Sequence, residues 1–289
     1  MLLSPARSDL QVRIEKVVHI ISQFNGAVVA LSAGVDSSLV AALARRALRD
    51  RVVAVTALSE SLAPGEMRIA KKTAKKIGIR HIIVTTNEVH NASYKANPFN
   101  RCFYCKDTLY RELRHEADKL GFEAILDGTQ LDDFGDIRPG LLAAREAGVR
   151  SPLAEAGFSK RDVRETAQLL GLEVWDKPAM PCLSSRIPHG EEITVQKLSQ
   201  VGEAECVIKR LSGARDIRVR HHGTVAAIEV TPEELPLLYQ EGLMSQVRKE
   251  LRRIGFPDVT LGPRKYPNRQ TATKLGHDHI LPIINTSNH

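Results

Sequence analysis

Long apolar stretches are missing from this chain of 289 residues. A helix that crosses a bilayer needs about 20 consecutive apolar residues, and no run in the sequence approaches that length. The N-terminus also lacks a basic segment followed by a sustained apolar stretch, which is the pattern of a signal peptide. We therefore expect a cytoplasmic protein that does not act in a membrane.

Aromatic residues and cysteines are also few. Phe, Trp and Tyr make up 4% of the chain, too little for an extended surface that stacks bases. Four cysteines do not form a disulfide framework in a chain of this size, so we expect ligands, nucleophiles or buried thiols. The formal net charge of +7 suits an anionic partner, for which nucleotides, phosphorylated metabolites and tRNA all qualify.

Short apolar runs alternate with segments of helical periodicity in the first half of the chain. Strands are predicted from Val28, at 52–57, at 81–86 and at 124–126, with helices between them. This alternation predicts an α/β fold with a doubly wound parallel sheet. Ligands of such sheets bind at the carboxyl ends of the strands.

The loop after the first strand consists of small residues and leads into a helix. Main-chain N–H groups and the helix dipole make such a turn an anion site. Gly34 allows close approach of the backbone, and Ser32, Ser37 and Ser38 add hydroxyl donors. The Asp36 carboxylate needs a cation beside a phosphate, and Mg²⁺ would serve. The alternative is an ordinary turn whose Asp and Ser cap the helix.

No lysine follows Gly34, so this loop is not the usual P-loop. It resembles the PP-loop of the ATP pyrophosphatases, Ser-Gly-Gly-x-Asp-Ser, with Ala33 at the first glycine position. That difference is mild if the backbone of Ala33 does not need a positive φ. The resemblance implies cleavage of ATP between its α- and β-phosphates and adenylation of a substrate oxygen.

Three cysteines form the second signal. Cys102 and Cys105 have a spacing that can hold one metal or face one cluster, although a pair of unligated thiols has the same pattern. Arg101 and Lys106 are predicted to lower the pKa of these thiols. Cys182 lies in a proline-punctuated loop near a cation, which favours a nucleophile or a ligand.

An acidic turn follows the strand at 124–126. Asp127, Asp132 and Asp133 are candidates for the Mg²⁺ shell or for the sugar of ATP. A turn that is simply well capped would contain the same residues.

A small α+β domain is predicted after the Cys182 loop, with a helix over 194–211, two strands, a helix over 233–253 and a last strand near 259–261. On its first strand Arg218 and Arg220 share one face, which suits a phosphate clamp or an exposed charged surface. Glu229 on the next strand is placed to orient one guanidinium. The predicted division of the chain is 1–180, 181–265 and a disordered tail at 266–289.

Taken together, these motifs resemble the LarE family, sulfurtransferases of nickel-pincer nucleotide cofactor biosynthesis. The segments that carry the resemblance are 181–188, 127–129, 138–140, and 218–220 followed by 228–230. The resemblance implies that ATP adenylates a carboxylate of pyridinium-3,5-biscarboxylic acid mononucleotide. Sulfur then replaces AMP and leaves a thiocarboxylate.

The resemblance also assigns roles to residues. It implies Cys182, Asp36 and Glu205 as catalytic residues, with Mg²⁺ on Asp36. The residues implied in binding ATP and pyrophosphate are Ser32, Ala33, Gly34, Val35, Asp36, Ser37, Ser38, Asp127 and Thr129. Those implied in binding the substrate phosphate are Arg186, Arg218, Arg220, Glu229 and Arg264, the last in a segment that departs from the family's closing motif.

Cys102, Cys105 and Cys182 match the family members that hold a 4Fe-4S cluster with one open iron. We predict this version because a cluster can be reloaded with sulfur. In the alternative, Cys182 gives up its own sulfur and ends as dehydroalanine. The resemblance further implies a homo-oligomer and a sulfur donor that the sequence does not identify.

Three other functions share parts of this pattern. A tRNA thiolation enzyme has the same loop and suits the basic charge, but the chain lacks an appended RNA-binding module and aromatic residues for stacking. An amide-forming synthetase would use ammonia and would not need Cys182. A regulatory module would bind ATP without turnover.

Overall fold

Two β-sheets organise the chain. The computed structural model describes residues 5–135 and 139–264. The predicted tail at 266–289 and Arg138 of the segment 138–140 lie outside these ranges. Among the helices of the described ranges, none has the length and apolar character needed to span a bilayer.

The first sheet has four parallel strands in the order β3-β2-β1-β4. They are β1 (Ala27–Ala30), β2 (Val52–Leu58), β3 (Arg80–Thr85) and β4 (Ala124–Leu126). Successive residues of a strand point to opposite faces. Val28 accordingly packs in one buried cluster with Val53, and Val29 packs in another with Leu39. Both faces are covered, which confirms the predicted doubly wound α/β fold.

Helices connect and cover these strands. Ser159 and Asp162 form a capping box at the start of the last of them, α8. The helices of this half are α1 (Pro5–Ser22), α2 (Val35–Leu48), α3 (Glu66–Ile77), α4 (Ala92–Lys95), α5 (Arg101–Leu120), α6 (Pro139–Glu146), α7 (Pro152–Glu155) and α8 (Lys160–Leu169).

The second sheet has the order β5-β6-β7, antiparallel and then parallel. The predicted single helix over 233–253 is wrong, because Gly242 takes a φ of 73° and separates two helices there. The elements of this half are α9 (Val195–Ser212), β5 (Ile217–His222), β6 (Val225–Val230), α10 (Leu235–Leu238), α11 (Leu243–Ile254) and β7 (Asp258–Pro263).

The core of the second half also contains residues from the first. Ala63, Val89 and Tyr94 pack in the same buried cluster as Leu183 and Val219. The loop that carries Cys182 is therefore packed against segments from both halves. The division at residue 180 remains a prediction.

Candidate active site

The small-residue loop lies at the point where the strand order reverses. β2 and β3 extend the sheet on one side of β1, and β4 extends it on the other. A crevice for a ligand forms at such a point, outside the carboxyl ends of the strands. The loop after β1 and the turn after β4 both open there, and α2 begins at Val35 with Gly34 as its N-cap.

Ala33 has a φ of 60°. The backbone therefore does need a positive φ at the first glycine position, and the substitution of alanine there is not mild. A left-handed conformation costs a residue with a Cβ about 1 kcal/mol or more. The Ala33 carbonyl accepts a hydrogen bond from Lys177 Nζ at 3.0 Å, and the same Nζ lies 2.5 Å from Glu66 Oε2.

The serine hydroxyls of the loop bond within the loop. Ser37 Oγ accepts from Ser32 N at 3.1 Å, and Ser38 Oγ donates to Gly34 O at 2.7 Å. Ser37 Oγ also donates to Gly34 O at 3.2 Å. These hydroxyls were expected to donate to a bound anion, whereas in the structure they bond within the loop. The groups that the loop offers to an anion are its main-chain N–H groups at the start of α2.

Asp36 forms an ion pair with Lys160, the first residue of α8. Lys160 Nζ lies 2.7 Å from Asp36 Oδ1 and 2.5 Å from Oδ2. The lysine main-chain N–H donates to Asp132 Oδ2 at 2.8 Å, so this candidate carboxylate caps α8. The Asp36 carboxylate was expected to need a cation beside a phosphate. In the structure the ammonium group of Lys160 is that cation.

Asp127 closes the turn after β4. Its carboxylate accepts from Thr129 N at 3.1 Å, Thr129 Oγ1 at 2.9 Å and Ser151 Oγ at 2.7 Å. This is the arrangement of a well-capped turn. The next residue, Gly128, packs on the loop after β1: a Cβ added there would lie 2.6 Å from Ser37 N. Gly128 lies in the segment 127–129 that carries the resemblance, but it was not among the residues predicted to form the site.

The structure brings the three predicted cysteines into one region. Cys102 and Cys105 lie in the first turns of α5, and Cys182 precedes a short 3-10 turn. Burial and then the charge of Cys182 raise the pKa of Cys102. Burial, Glu88 and Cys182 raise the pKa of Cys105 to about 12. The predicted lowering of these pKa values is wrong, because burial outweighs the nearby cations.

Bonds from two segments of the first half hold the Cys182 loop. Leu183 N donates to Ser61 O at 2.9 Å, on the loop that follows β2. Tyr94 OH and Ser184 Oγ share a hydrogen bond in the buried core. The Cys182 loop is thereby tied to the loop that follows β2, at the carboxyl edge of the first sheet. Over the described ranges, no three Cys, His, Asp or Glu side chains converge on one metal ion.

Arg186 and Glu205 form a buried ion pair. Arg186 is 0% exposed, and its Nε and Nη2 donate to the two carboxylate oxygens of Glu205 at 2.7 and 3.2 Å. Arg186 Nη1 donates to Pro181 O at 3.0 Å, and Glu205 Oε1 also accepts from Val219 N at 3.1 Å. These bonds join the Cys182 loop, α9 and β5. They differ from the phosphate contact predicted for Arg186 and from the catalytic role predicted for Glu205.

Three further arginines lie beside this pair. Arg220 Nε donates to Glu229 at 3.0 Å, as predicted for one of the two, and Arg220 Nη1 donates to Ser185 O. Arg264 Nη1 donates to Asp216 Oδ2 at 2.6 Å. Arg218 is half-buried, and its Nε is buried without a hydrogen-bond partner.

Arg218 is the arginine of this cluster best suited to take an anion. Burial and the charges of Arg264 and Arg186 lower its pKa. A buried guanidinium among like charges favours a bound anion such as phosphate.

The parallel sheet, with a PP-loop at its switch point, defines an ATP pyrophosphatase. Residues 8–104 match the family model described as NAD synthase. The chain is 46% identical over 257 residues to an uncharacterised protein of Synechocystis sp., covering 89% of this chain and 96% of the relative. It is 27% identical over 197 residues to a subunit of the glutamine-hydrolyzing GMP synthase of Pyrococcus horikoshii, covering 63% of each chain.

Within this class a characterised relative identifies the family. The chain is 38% identical over 236 residues to the pyridinium-3,5-bisthiocarboxylic acid mononucleotide synthase of Lactiplantibacillus plantarum, covering 81% of this chain and 84% of the relative. The chain belongs to the LarE family of ATP-dependent sulfurtransferases. As an ATP pyrophosphatase it uses ATP with Mg²⁺.

Proposed function

We propose that this enzyme adenylates a carboxylate of pyridinium-3,5-biscarboxylic acid mononucleotide and converts it to a thiocarboxylate, releasing pyrophosphate and AMP. The observation that carries the proposal is the contact between the arginine cluster and the cysteine loop: Arg220 donates to Ser185 O, three residues after Cys182. A mononucleotide whose phosphate lies at Arg218 is thus bound beside a candidate sulfur residue. The name of the Lactiplantibacillus relative supports the substrate.

The ATP half is residues 1–180. In this proposal the N–H groups at the start of α2 hold the phosphates. Asp36 would hold Mg²⁺ after release of Lys160, and the ion would neutralise phosphate charge. The close packing of Gly128 on Ser37 fixes the shape of this loop. Asp127 and Thr129 position that turn.

The substrate half is residues 181–265. Arg218 binds the phosphate, Glu229 orients Arg220, and Asp216 orients Arg264. Arg186 and Glu205 are positioning residues that hold the Cys182 loop against α9.

Cys102, Cys105 and Cys182 hold a 4Fe-4S cluster in this proposal. Thiolates are the usual ligands of such clusters, and each cysteine binds a different iron, so the three sulfurs need not meet at one atom. The charges of these thiols act on one another, which supports a shared site. When bound, the cluster supplies an open iron that carries a replaceable sulfide. The alternative is transfer of the Cys182 sulfur itself.

One experiment separates adenylation from sulfur transfer. With ATP, Mg²⁺ and the dicarboxylate mononucleotide, the wild-type protein is expected to release pyrophosphate and form a thiocarboxylate detectable by mass. Cys182→Ala should keep pyrophosphate release and lose the thiocarboxylate. Cys206→Ala, which changes an exposed cysteine on α9, should keep both. Thiolated product from Cys182→Ala would overturn the assignment of Cys182.

A second measurement decides the source of sulfur. Protein purified without oxygen should be brown and contain about four irons per chain, and Cys102→Ala/Cys105→Ala should lose them. An iron-free protein whose Cys182 loses the mass of H₂S after one turnover would establish the sacrificial alternative. The proposal also includes a homo-oligomer, which light scattering of the purified protein tests.

A further inference from the structure

Lys177 contacts the loop after β1 at the residue whose backbone is strained. Its Nζ donates to Ala33 O at 3.0 Å, and Ala33 has a φ of 60°. A left-handed conformation is unfavourable for a residue with a Cβ, and it persists only where the surrounding structure holds it. The bond from Lys177 is therefore placed to hold Ala33 in this conformation.

Lys177 is itself fixed by two helices. Its Nζ lies 2.5 Å from Oε2 of Glu66, the first residue of α3, and the two side chains are 16% and 10% exposed. From α8, Arg164 Nη2 donates to Lys177 O at 3.1 Å, and Arg164 Nη1 donates to Trp175 O at 2.6 Å. An ammonium group that is already fixed loses little further conformational entropy when it holds a carbonyl.

The peptide unit between Ala33 and Gly34 carries one of the main-chain donors of the loop. A peptide unit is planar and trans, so its C=O and N–H point in opposite directions. With Ala33 O at Lys177, the Gly34 N–H points away from the lysine, and within the described ranges it donates to no protein group. A return of Ala33 to a negative φ would rotate this unit, break the bond to Lys177 and redirect the Gly34 N–H.

We propose that Lys177 is a positioning residue for ATP, which holds the loop after β1 in the conformation whose main-chain N–H groups bind the phosphates. This inference rests on the ATP site of the proposed function. A glycine, as in the PP-loop motif, adopts a positive φ freely, whereas Ala33 needs the bond from Lys177. The apparent affinity for a ligand falls with the fraction of protein in the binding conformation. Loss of Lys177 should therefore weaken ATP binding through Ala33.

Calorimetric titration of the full-length protein with MgATP, with either alanine or glycine at position 33, tests this role. With alanine, Lys177→Met should weaken binding by about tenfold, because the cost of the left-handed conformation is no longer offset. In the Ala33→Gly background the same substitution should weaken binding by about twofold or less, because glycine reaches the conformation unaided. This rescue is specific to a role that acts through the backbone of residue 33.

Lys72→Gln is the matched control. Lys72 is exposed and pairs with Glu173, four residues before Lys177 in the chain. Its substitution should leave MgATP binding unchanged. Equal affinity of wild type and Lys177→Met would overturn the proposal. An equal loss with alanine and with glycine at position 33 would also overturn it, because a lysine that contacts ATP directly would give that result.

A second variant covers the case in which Lys177→Met does not fold, since that substitution leaves the Glu66 carboxylate buried without its cation. Lys177→Met/Glu66→Leu removes both charges of the pair. It should show the same loss of affinity and the same rescue by Ala33→Gly. Wild-type affinity for MgATP in this variant would refute the role of Lys177.

The outcomes separate this inference from the function on which it rests. Rescue of MgATP binding by Ala33→Gly, without pyrophosphate release on the pyridinium substrate, would support the role of Lys177 and reject the proposed substrate. Thiocarboxylate formation, with MgATP binding that is equal in wild type and Lys177→Met, would support the proposed function and reject the role of Lys177.

Discussion

Lys160 and Asp36 form a two-pronged ion pair across the switch point of the sheet, with Lys160 Nζ at 2.7 and 2.5 Å from the two carboxylate oxygens. The pair links the first turn of α2 to the first residue of α8. In the proposed function Asp36 is also the Mg²⁺ ligand, and we therefore propose that Lys160 and Mg²⁺ compete for this carboxylate.

Replacement of Lys160 should therefore strengthen the response to Mg²⁺. Both side chains are partly exposed, at 37% and 26%, so the pair is worth at most about 1 kcal/mol, or about fivefold in an equilibrium constant. In Lys160→Gln the Mg²⁺ concentration for half-maximal pyrophosphate release should fall by up to about fivefold. Lys119→Gln, which breaks a pair with Glu116 on α5, should leave it unchanged. A higher Mg²⁺ requirement in Lys160→Gln would contradict the competition.

Ala33→Gly should stabilise the protein or leave its stability unchanged. The φ of 60° is costly for alanine and free for glycine, while the greater flexibility of glycine in the unfolded chain offsets up to about 1 kcal/mol of the gain. Ala30→Gly, in β1, should instead lower the free energy of unfolding by about 1 kcal/mol. Urea denaturation of the two variants checks the difference. A larger loss of stability in Ala33→Gly than in Ala30→Gly would count against strain at this position.

Gly128→Ala should impair ATP use without unfolding the protein. The added Cβ would lie 2.6 Å from Ser37 N, so the loop after β1 must shift. We expect a fall of about tenfold or more in pyrophosphate release, since displacement of positioned binding groups is costly. Gly135→Ala is the control, because a Cβ there meets nothing within 4 Å. Wild-type activity in Gly128→Ala would show that the loop tolerates the shift.

Glu205→Gln distinguishes a positioning role from a catalytic one. The side chains of Arg186 and Glu205 are 0% and 4% exposed, and loss of one charge of a buried pair costs about 3 kcal/mol or more. The variant should unfold at lower urea concentration, and Arg186→Met/Glu205→Leu should recover part of the stability. A stable Glu205→Gln protein that has lost only its rate of turnover would instead favour the catalytic role.

The metal-free protein should lose stability at high pH through Cys105. Its pKa rises from 9.0 to about 12 on folding, so between these values the folded form retains a proton that the unfolded form has lost. The stabilisation is complete below pH 9.0 and is lost as the pH rises towards 12, by up to about 1.4 kcal/mol per pH unit. In urea denaturation between pH 9.0 and about 12, the free energy of unfolding of Cys105→Ala should lack this pH-dependent loss, whereas Cys206→Ala should show it. The same slope in both variants would exclude Cys105 as its source.

Features encoded in local pattern were predictable from the sequence. The alternation of apolar runs indicated the α/β sheet, and the loop at 32–38 indicated the ATP pyrophosphatase class, because both depend on neighbours in the chain. The Arg220–Glu229 pair was also predictable, because alternation along two neighbouring strands places both side chains on one face of the sheet.

Features that depend on burial or on distant partners were not predictable. The raised pKa of Cys105 arises from burial, which outweighs a cation that is adjacent in sequence. The resemblance implied a phosphate contact for Arg186, but its side chain is buried and pairs with a glutamate on α9. Lys160 and Asp36 are 124 residues apart, and only the fold brings them together.

The bond from Leu183 N to Ser61 O uses main-chain atoms at both ends. Exchange of either side chain leaves donor and acceptor in place, so point substitutions can diversify the segment after β2 without releasing the cysteine loop. An inserted or deleted residue would shift the carbonyl away from its donor. Among homologues, the number of residues between β2 and α3 should therefore vary less than their identities.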